Sequence, residues 1–205
     1  MKENLLIIGA GGHGRVIADV AARVGTYQKI AFLDDGIPQR PLHYPCLGKS
    51  GDAQQFLEAY DLIVAIGNAH VRKRIMARLS ALGASFATVV APEAVVSKDV
   101  RLGEGTVVMP GAIINTGAEI GTGVIINTAA SVDHDCVVGD FCHVSVGARL
   151  CGTVSVGADS WIGAGATVIN NIQICGGCMI GAGAVVVKDI LEEGTYLGVP
   201  ARRKN

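Results

Sequence analysis

The chain has 205 residues, long enough for two small domains that each bury a core. A formal net charge of −1 gives no electrostatic basis for binding nucleic acid or an acidic membrane surface. Half the residues are hydrophobic but only 4% are aromatic, which implies many thin aliphatic layers, and six cysteines do not make a disulfide scaffold.

The opening MKENLLIIGAGG holds an apolar run that is too short to span a bilayer and is broken by Gly. It reads as a first strand, Asn4–Ala10, entering a Gly-rich turn rather than as a signal peptide. A cytoplasmic protein with no membrane insertion is expected. Gly9, Gly11 and Gly14 then form G-x-G-x-x-G between that strand and a helix over Gly14–Val24. Glycines there permit a phosphate to approach the backbone at a helix N-terminus, or they simply make a tight turn. A second strand covers Lys29–Asp34. Asp34 lies twenty residues beyond Gly14, where an acidic side chain can hold a ribose hydroxyl. A Gly- and Pro-rich loop over residues 36–52 follows, then a strand over Asp61–Gly67 and a helix over Ala69–Leu82 that carries Arg72, Lys73, Arg74 and Arg78. Strands alternating with helices predict a parallel sheet. A dinucleotide needs two mononucleotide halves, and ~85 residues hold about one, so a sugar nucleotide suits this α/β, Rossmann-like domain better than NAD.

The pattern changes near Phe86–Pro92, which places the domains at residues 1–88 and 89–205. From Val90 onward every sixth residue is aliphatic, seventeen times without a slip, through Val108, Val132, Val144, Leu150 and Val168 to Val186. The slot four residues after each is mostly small, and Gly recurs at eighteen-residue spacing at Gly103, Gly121, Gly139 and Gly157. Three hexads therefore make one coil, and coils stack at ~4.8 Å. No α-helix has a period of six, and each coil needs its neighbours to cover its apolar layer.

Inside the repeat, SVDHDC places His134 near a corner and facing outward, because Val132 faces inward. A neutral imidazole there can take a proton from an attacking amine or hydroxyl, and the carboxylate of Asp135 can orient it. A surface His beside a solvated Asp is the alternative. His143 follows half a coil later, so the two histidines lie on different sides of one stack and meet only across a subunit interface. Cys136, Cys142 and Cys178 fill the small inward slot, while Cys151 and Cys175 follow the aliphatic residue. The register thus accounts for the C-x-x-C of Cys175 and Cys178 without redox or metal chemistry, and no cysteine is expected outward beside His134 as a nucleophile. Two histidines nine residues apart also argue against a three-His zinc site, and no metal is expected.

The repeat resembles the hexapeptide-repeat family, which implies a left-handed parallel β-helix, a homotrimer and acyl-CoA sites between adjacent helices. GAGGHG, FLDD, AIGN, VDHDC and the terminal GVPARR, in that order, make the whole chain similar to bacterial sugar O- and N-acetyltransferases of the sialic acid O-acetyltransferase and UDP-4-amino-sugar (bacillosamine-type) N-acetyltransferase kind. The resemblance implies a transfer from acetyl-CoA to the 4-amino group of a nucleotide-linked sugar in bacterial glycan biosynthesis. Sialic acid O-acetylation and a non-catalytic nucleotide-sugar scaffold are the alternatives. By the same resemblance His134 is the general base, Asp135 its acidic partner, where the bacillosamine enzyme has Glu, and His143 binds the thioester end of acetyl-CoA. Ala164 and Ala182 line the CoA channel, and Gly11, Gly12, His13, Asp34, Asp35 and Gly67 form the nucleotide-sugar site.

Overall fold

The computed structural model describes residues 2–36 and 43–204, and the chain divides into two compact units at Pro92–Glu93. In the first unit, β1 (Asn4–Ile8), β2 (Lys29–Leu33) and β3 (Asp61–Val64) form a parallel sheet in the order β2-β1-β3. Helix α1 (Gly12–Val24) connects β1 to β2, and helix α2 (Ala69–Ser80) follows β3 and leads to a parallel bridge of Phe86 with Leu62. Leu5, Leu6, Ile7 and Ile8 are fully buried, as are Leu62 and Ile63, so the near-continuous apolar runs reflect a sheet covered on both faces.

The strands and α2 are shorter than their sequence patterns and α1 is longer, for local reasons. Strand β1 stops at Ile8 because Gly9 turns the chain with a φ of 106°. Helix α1 starts at Gly12, two residues earlier than expected, with Gly11 as its N-cap and no side chain capping it. Strand β2 ends at Leu33, β3 at Val64, and α2 at Ser80, where Ala81 closes the last turn. The expected loop is not wholly irregular: Ser50–Phe56 is a 3₁₀ helix, with the Asp52 carboxylate accepting the Lys49 N–H at 2.8 Å. Residues 37–42 of that loop lie outside the described residues.

The second unit is a left-handed β-helix whose coils are built of two-residue strands in three parallel sheets, closed at the C-terminus by an antiparallel pair, Thr195–Leu197 with Arg202–Arg203. Each strand pairs with the one eighteen residues away: Ser131 opposite Ile113 and Arg149, Val137 opposite Glu119 and Ser155, His143 opposite Ile125 and Trp161. From Val108 to Val186 every sixth residue is no more than 4% exposed, and only the first three of the column, Val90, Val96 and Leu102, remain half-buried. Burying each such side chain is worth about 1.5–3 kcal/mol, so a slip of one residue would expose the whole column.

Candidate functional site

The first unit contains a cavity of about 610 Å³ at the carboxyl ends of its strands. Gly11, Gly12, His13, Asp34, Asp35 and Gly67 all line it, so six residues singled out from three separate motifs converge on one site. A Cβ on Gly11 or Gly12 would meet nothing within 4 Å, so the glycine loop leaves open space in front of the uncapped N-terminus of α1. Free N–H groups and the positive end of the helix dipole face that space, an arrangement suited to a phosphate. Gly14 has a different task. A Cβ there would collide with the Gly9 carbonyl oxygen, so this glycine is required by packing.

The two aspartates are tied into the walls. Asp34 accepts the Ala10 N–H at 2.6 Å and the Gly36 N–H at 2.8 Å, which fastens the glycine loop to the end of β2. Asp35 accepts the Ser50 N–H at 2.8 Å and its hydroxyl at 2.7 Å, and those bonds hold its carboxyl below the usual range. Burial, with the Arg72 charge second, pushes the His13 imidazole down to about 4, so the ring is neutral at physiological pH. Its Nε2 is buried with no protein partner among the described residues.

Arg72 is fully buried, and its Nη1 donates to the carbonyls of Ile66 at 2.7 Å and Gly67 at 3.0 Å, fixing that part of the rim. Val71, Arg74, Ile75 and Arg78 line the cavity from one face of α2. Sequence reasoning assigned no role to these arginines. Their i, i+3, i+4, i+7 spacing with Val71 and Ile75 was the available signal that two cations share the helix face carrying apolar side chains.

On the second unit, His134 and Asp135 sit at a corner between two sheets. Asp135 adopts a left-handed conformation, with φ at 56°, and its Oδ2 lies 2.9 Å from Nδ1 of His134. Half the His134 side chain is exposed, and Nε2 is the ring nitrogen left for a reactant. The Asp135 bond raises the imidazole above its ordinary value, with the nearby Asp133 charge adding to it. Asp133 in turn accepts from Asn115 Nδ2 at 2.9 Å and from the His134 N–H at 2.7 Å, which steadies the corner. A neutral ring so paired holds its proton on Nδ1 and offers the Nε2 lone pair, the arrangement a general base needs.

His143 lies in a different sheet and departs from the outward-facing position that its register implies. It is only 8% exposed, because the Trp161 ring packs on it with centroids 4.6 Å apart and Asn127 bonds it. The Asn127 oxygen accepts the Thr128 N–H, so its Nδ2 donates to His143 Nε2 at 3.0 Å. This leaves the ring proton on Nδ1. Ala164 and Ala182 are exposed and stack at one corner, joined by a bond from the Gly183 N–H to the Ala164 carbonyl at 2.9 Å.

Cys136, next to Asp135 in sequence, is buried, and burial pushes its thiol up. Cys151 is half-buried, in the slot directly after Leu150. Among the described residues no three His, Cys, Asp or Glu side chains are placed to hold a metal ion, and no helix is long and apolar enough to cross a membrane.

The family model for the PglD N-terminal domain matches residues 4–79. The acetyltransferase domain of PglB from Neisseria gonorrhoeae FA1090, solved in complex with acetyl coenzyme A, is 40% identical with a TM-score of 0.95, over 100% of both chains. PerB from Caulobacter crescentus, solved with CoA and GDP-perosamine, is 38% identical with a TM-score of 0.91, over 98% of this chain and 97% of that one. UDP-N-acetylbacillosamine N-acetyltransferase of Bacillus subtilis (strain 168) is 38% identical over 109 residues. That match spans 50% of this chain and 50% of the curated relative.

Proposed function

The chain belongs to the family of bacterial sugar acetyltransferases that join a PglD-type N-terminal domain to a left-handed β-helix, and on that premise we propose that it transfers an acetyl group from acetyl-CoA to the 4-amino group of a UDP-linked amino-deoxy sugar. The observation that carries the proposal is the His134–Asp135 pair, bonded at 2.9 Å with Nε2 left open. The amine nitrogen attacks the thioester carbonyl and forms the C–N bond. His134 Nε2 takes the amine proton, the C–S bond breaks, and the imidazolium returns the proton to the departing CoA thiolate. Transfer is direct, since the thiol adjoining the pair, Cys136, is buried and kept protonated.

The cavity of the first unit is the nucleotide-sugar site. The diphosphate faces the N–H groups of Gly11 and Gly12, Arg74 and Arg78 supply positive charge, and neutral His13 lines the same cavity. As the family resemblance implies, His143 binds the thioester end of acetyl-CoA, and Ala164 and Ala182 border its channel. The relatives that carry acetyl-CoA, CoA and GDP-perosamine favour an N-linked product over O-acetylated sialic acid. NMR of the product decides between them: an acetamide at sugar C4 is expected, and an O-acetyl ester on sialic acid would overturn the assignment.

The protein is a cytoplasmic homotrimer. Val95, Ile113, Val137 and Val146 leave apolar side chains exposed on one copy of the repeat unit, and neighbouring copies would cover them. Sedimentation at micromolar concentration should give three chains per particle, and a stable monomer would remove the shared site.

The pH dependence follows from the pair. His134 acts only when neutral, and its partner raises its pKa, so kcat/KM climbs with pH through a value above that of a free imidazole. Asp135→Asn removes the carboxylate that favours the charged ring. The acid limb of the profile should move to lower pH while the maximum rate falls. An unshifted limb would detach Asp135 from the base.

A further inference from the structure

The catalytic pair lies between two glycines of the adjacent coils. His134 is followed one coil later by Gly152, and Asp135 is preceded one coil earlier by Gly117. A methyl group on Gly152 would fall 2.6 Å from Cε1 of His134 and closer still to Nε2. A methyl group on Gly117 would collide with Oδ1 of Asp135, with Cγ at 3.4 Å. Each reactive side chain thus lies flat over a bare backbone. The backbone around Gly152 is ordinary: its φ is outside the left-handed region, and the Asn171 N–H still bonds its carbonyl at 3.0 Å. No backbone demand therefore explains this glycine. The atoms that fill its missing side chain are those of the imidazole.

We propose that Gly152 is a positioning residue for the acetyl transfer: the absent side chain seats the His134 ring so that Nδ1 stays on Asp135 while Nε2 faces the acceptor amine. The inference rests on His134 being the base. A side chain at 152 would be relieved most cheaply by swinging the half-exposed ring away, because the alternative is to spread two hydrogen-bonded coils. The swing breaks the 2.9 Å bond to Asp135 and misdirects Nε2. Gly117 plays the matching part under the carboxylate, but its φ of 72° would strain any replacement, so Gly152 is the clean test.

Gly152→Ala should lower kcat by about 10- to 100-fold, the usual result of misplacing a catalytic group by about 1 Å. The KM for acetyl-CoA should not change. The acid limb of the pH profile should move to lower pH, since a ring released from Asp135 loses what raised it. In a His134→Ala background the same substitution should have no further effect on rate or on melting temperature, because the atoms it collides with are gone. Wild-type kcat and limb in Gly152→Ala, with His134→Ala inactive, would overturn the role of Gly152 and leave the base standing. Unfolding of Gly152→Ala in both backgrounds would also overturn it, making the glycine a requirement of coil stacking. Full activity in His134→Ala would remove the base itself, and the inference with it.

Discussion

His134→Ala should lower turnover by ~10²–10⁴-fold, the contribution of one positioned base. On the proposed mechanism the substitution removes the atom that takes the amine proton and little else. Half of the side chain is already exposed, and its ring bonds Asp135 and lies over Gly152, so the melting temperature should stay within about a degree or two. Acetyl-CoA affinity should also be kept, since the proposed base meets the amine and not the cofactor. The corner itself survives, because Asp133 still bonds Asn115 and the Thr153 N–H still reaches the carbonyl of residue 134. Single-turnover rates and calorimetry with acetyl-CoA separate these effects. A variant that turns over near the normal rate takes His134 out of the mechanism.

Gly11→Val should weaken binding of the nucleotide sugar and spare acetyl-CoA. At φ −68° and ψ −170° the backbone accepts a β-branched residue, and its Cβ meets no protein atom within 4 Å. The new side chain fits the fold but occupies the space before the helix N-terminus. Losing two charge-assisted phosphate bonds weakens binding on the order of 100-fold or more. Gly14→Ala is the control in the other direction, because its methyl group collides with the Gly9 carbonyl and should disrupt the first unit whatever ligand is present. Calorimetry with each ligand reads the difference. Equal loss of both ligands in Gly11→Val would mean that the variant is unfolded, and unchanged nucleotide-sugar binding would leave the loop a structural turn.

The parts of this molecule that follow a period were legible from the chain. Six-residue spacing from Val90 to Val186 marks the inward column, and the structure buries it from Val108 on. The motifs GAGGHG and FLDD supply residues that do line one cavity. What escaped depends on neighbours in space. Asp34 looks like a free acceptor in sequence, yet its oxygens hold Ala10 and Gly36. His143 looks exposed until Trp161, eighteen residues on, covers it. Arg74 and Arg78 are surface cations until α2 turns them toward the glycine loop. Gly152 and Gly117 look like turn residues until the eighteen-residue column is followed to His134 and Asp135. The coil period that fixes the fold also locates such partners, provided it is applied to the outward residues as well as to the aliphatic ones.

Thiol release from acetyl-CoA, followed with a panel of UDP-, GDP- and dTDP-linked amino sugars and free and CMP-linked sialic acid, is the most direct test of the account. Thiol should appear only when a nucleotide-linked 4-amino sugar is present, fastest with the UDP-linked acceptor, and should stop in His134→Ala. Release that needs no acceptor, or that is supported by sialic acid alone, would contradict it.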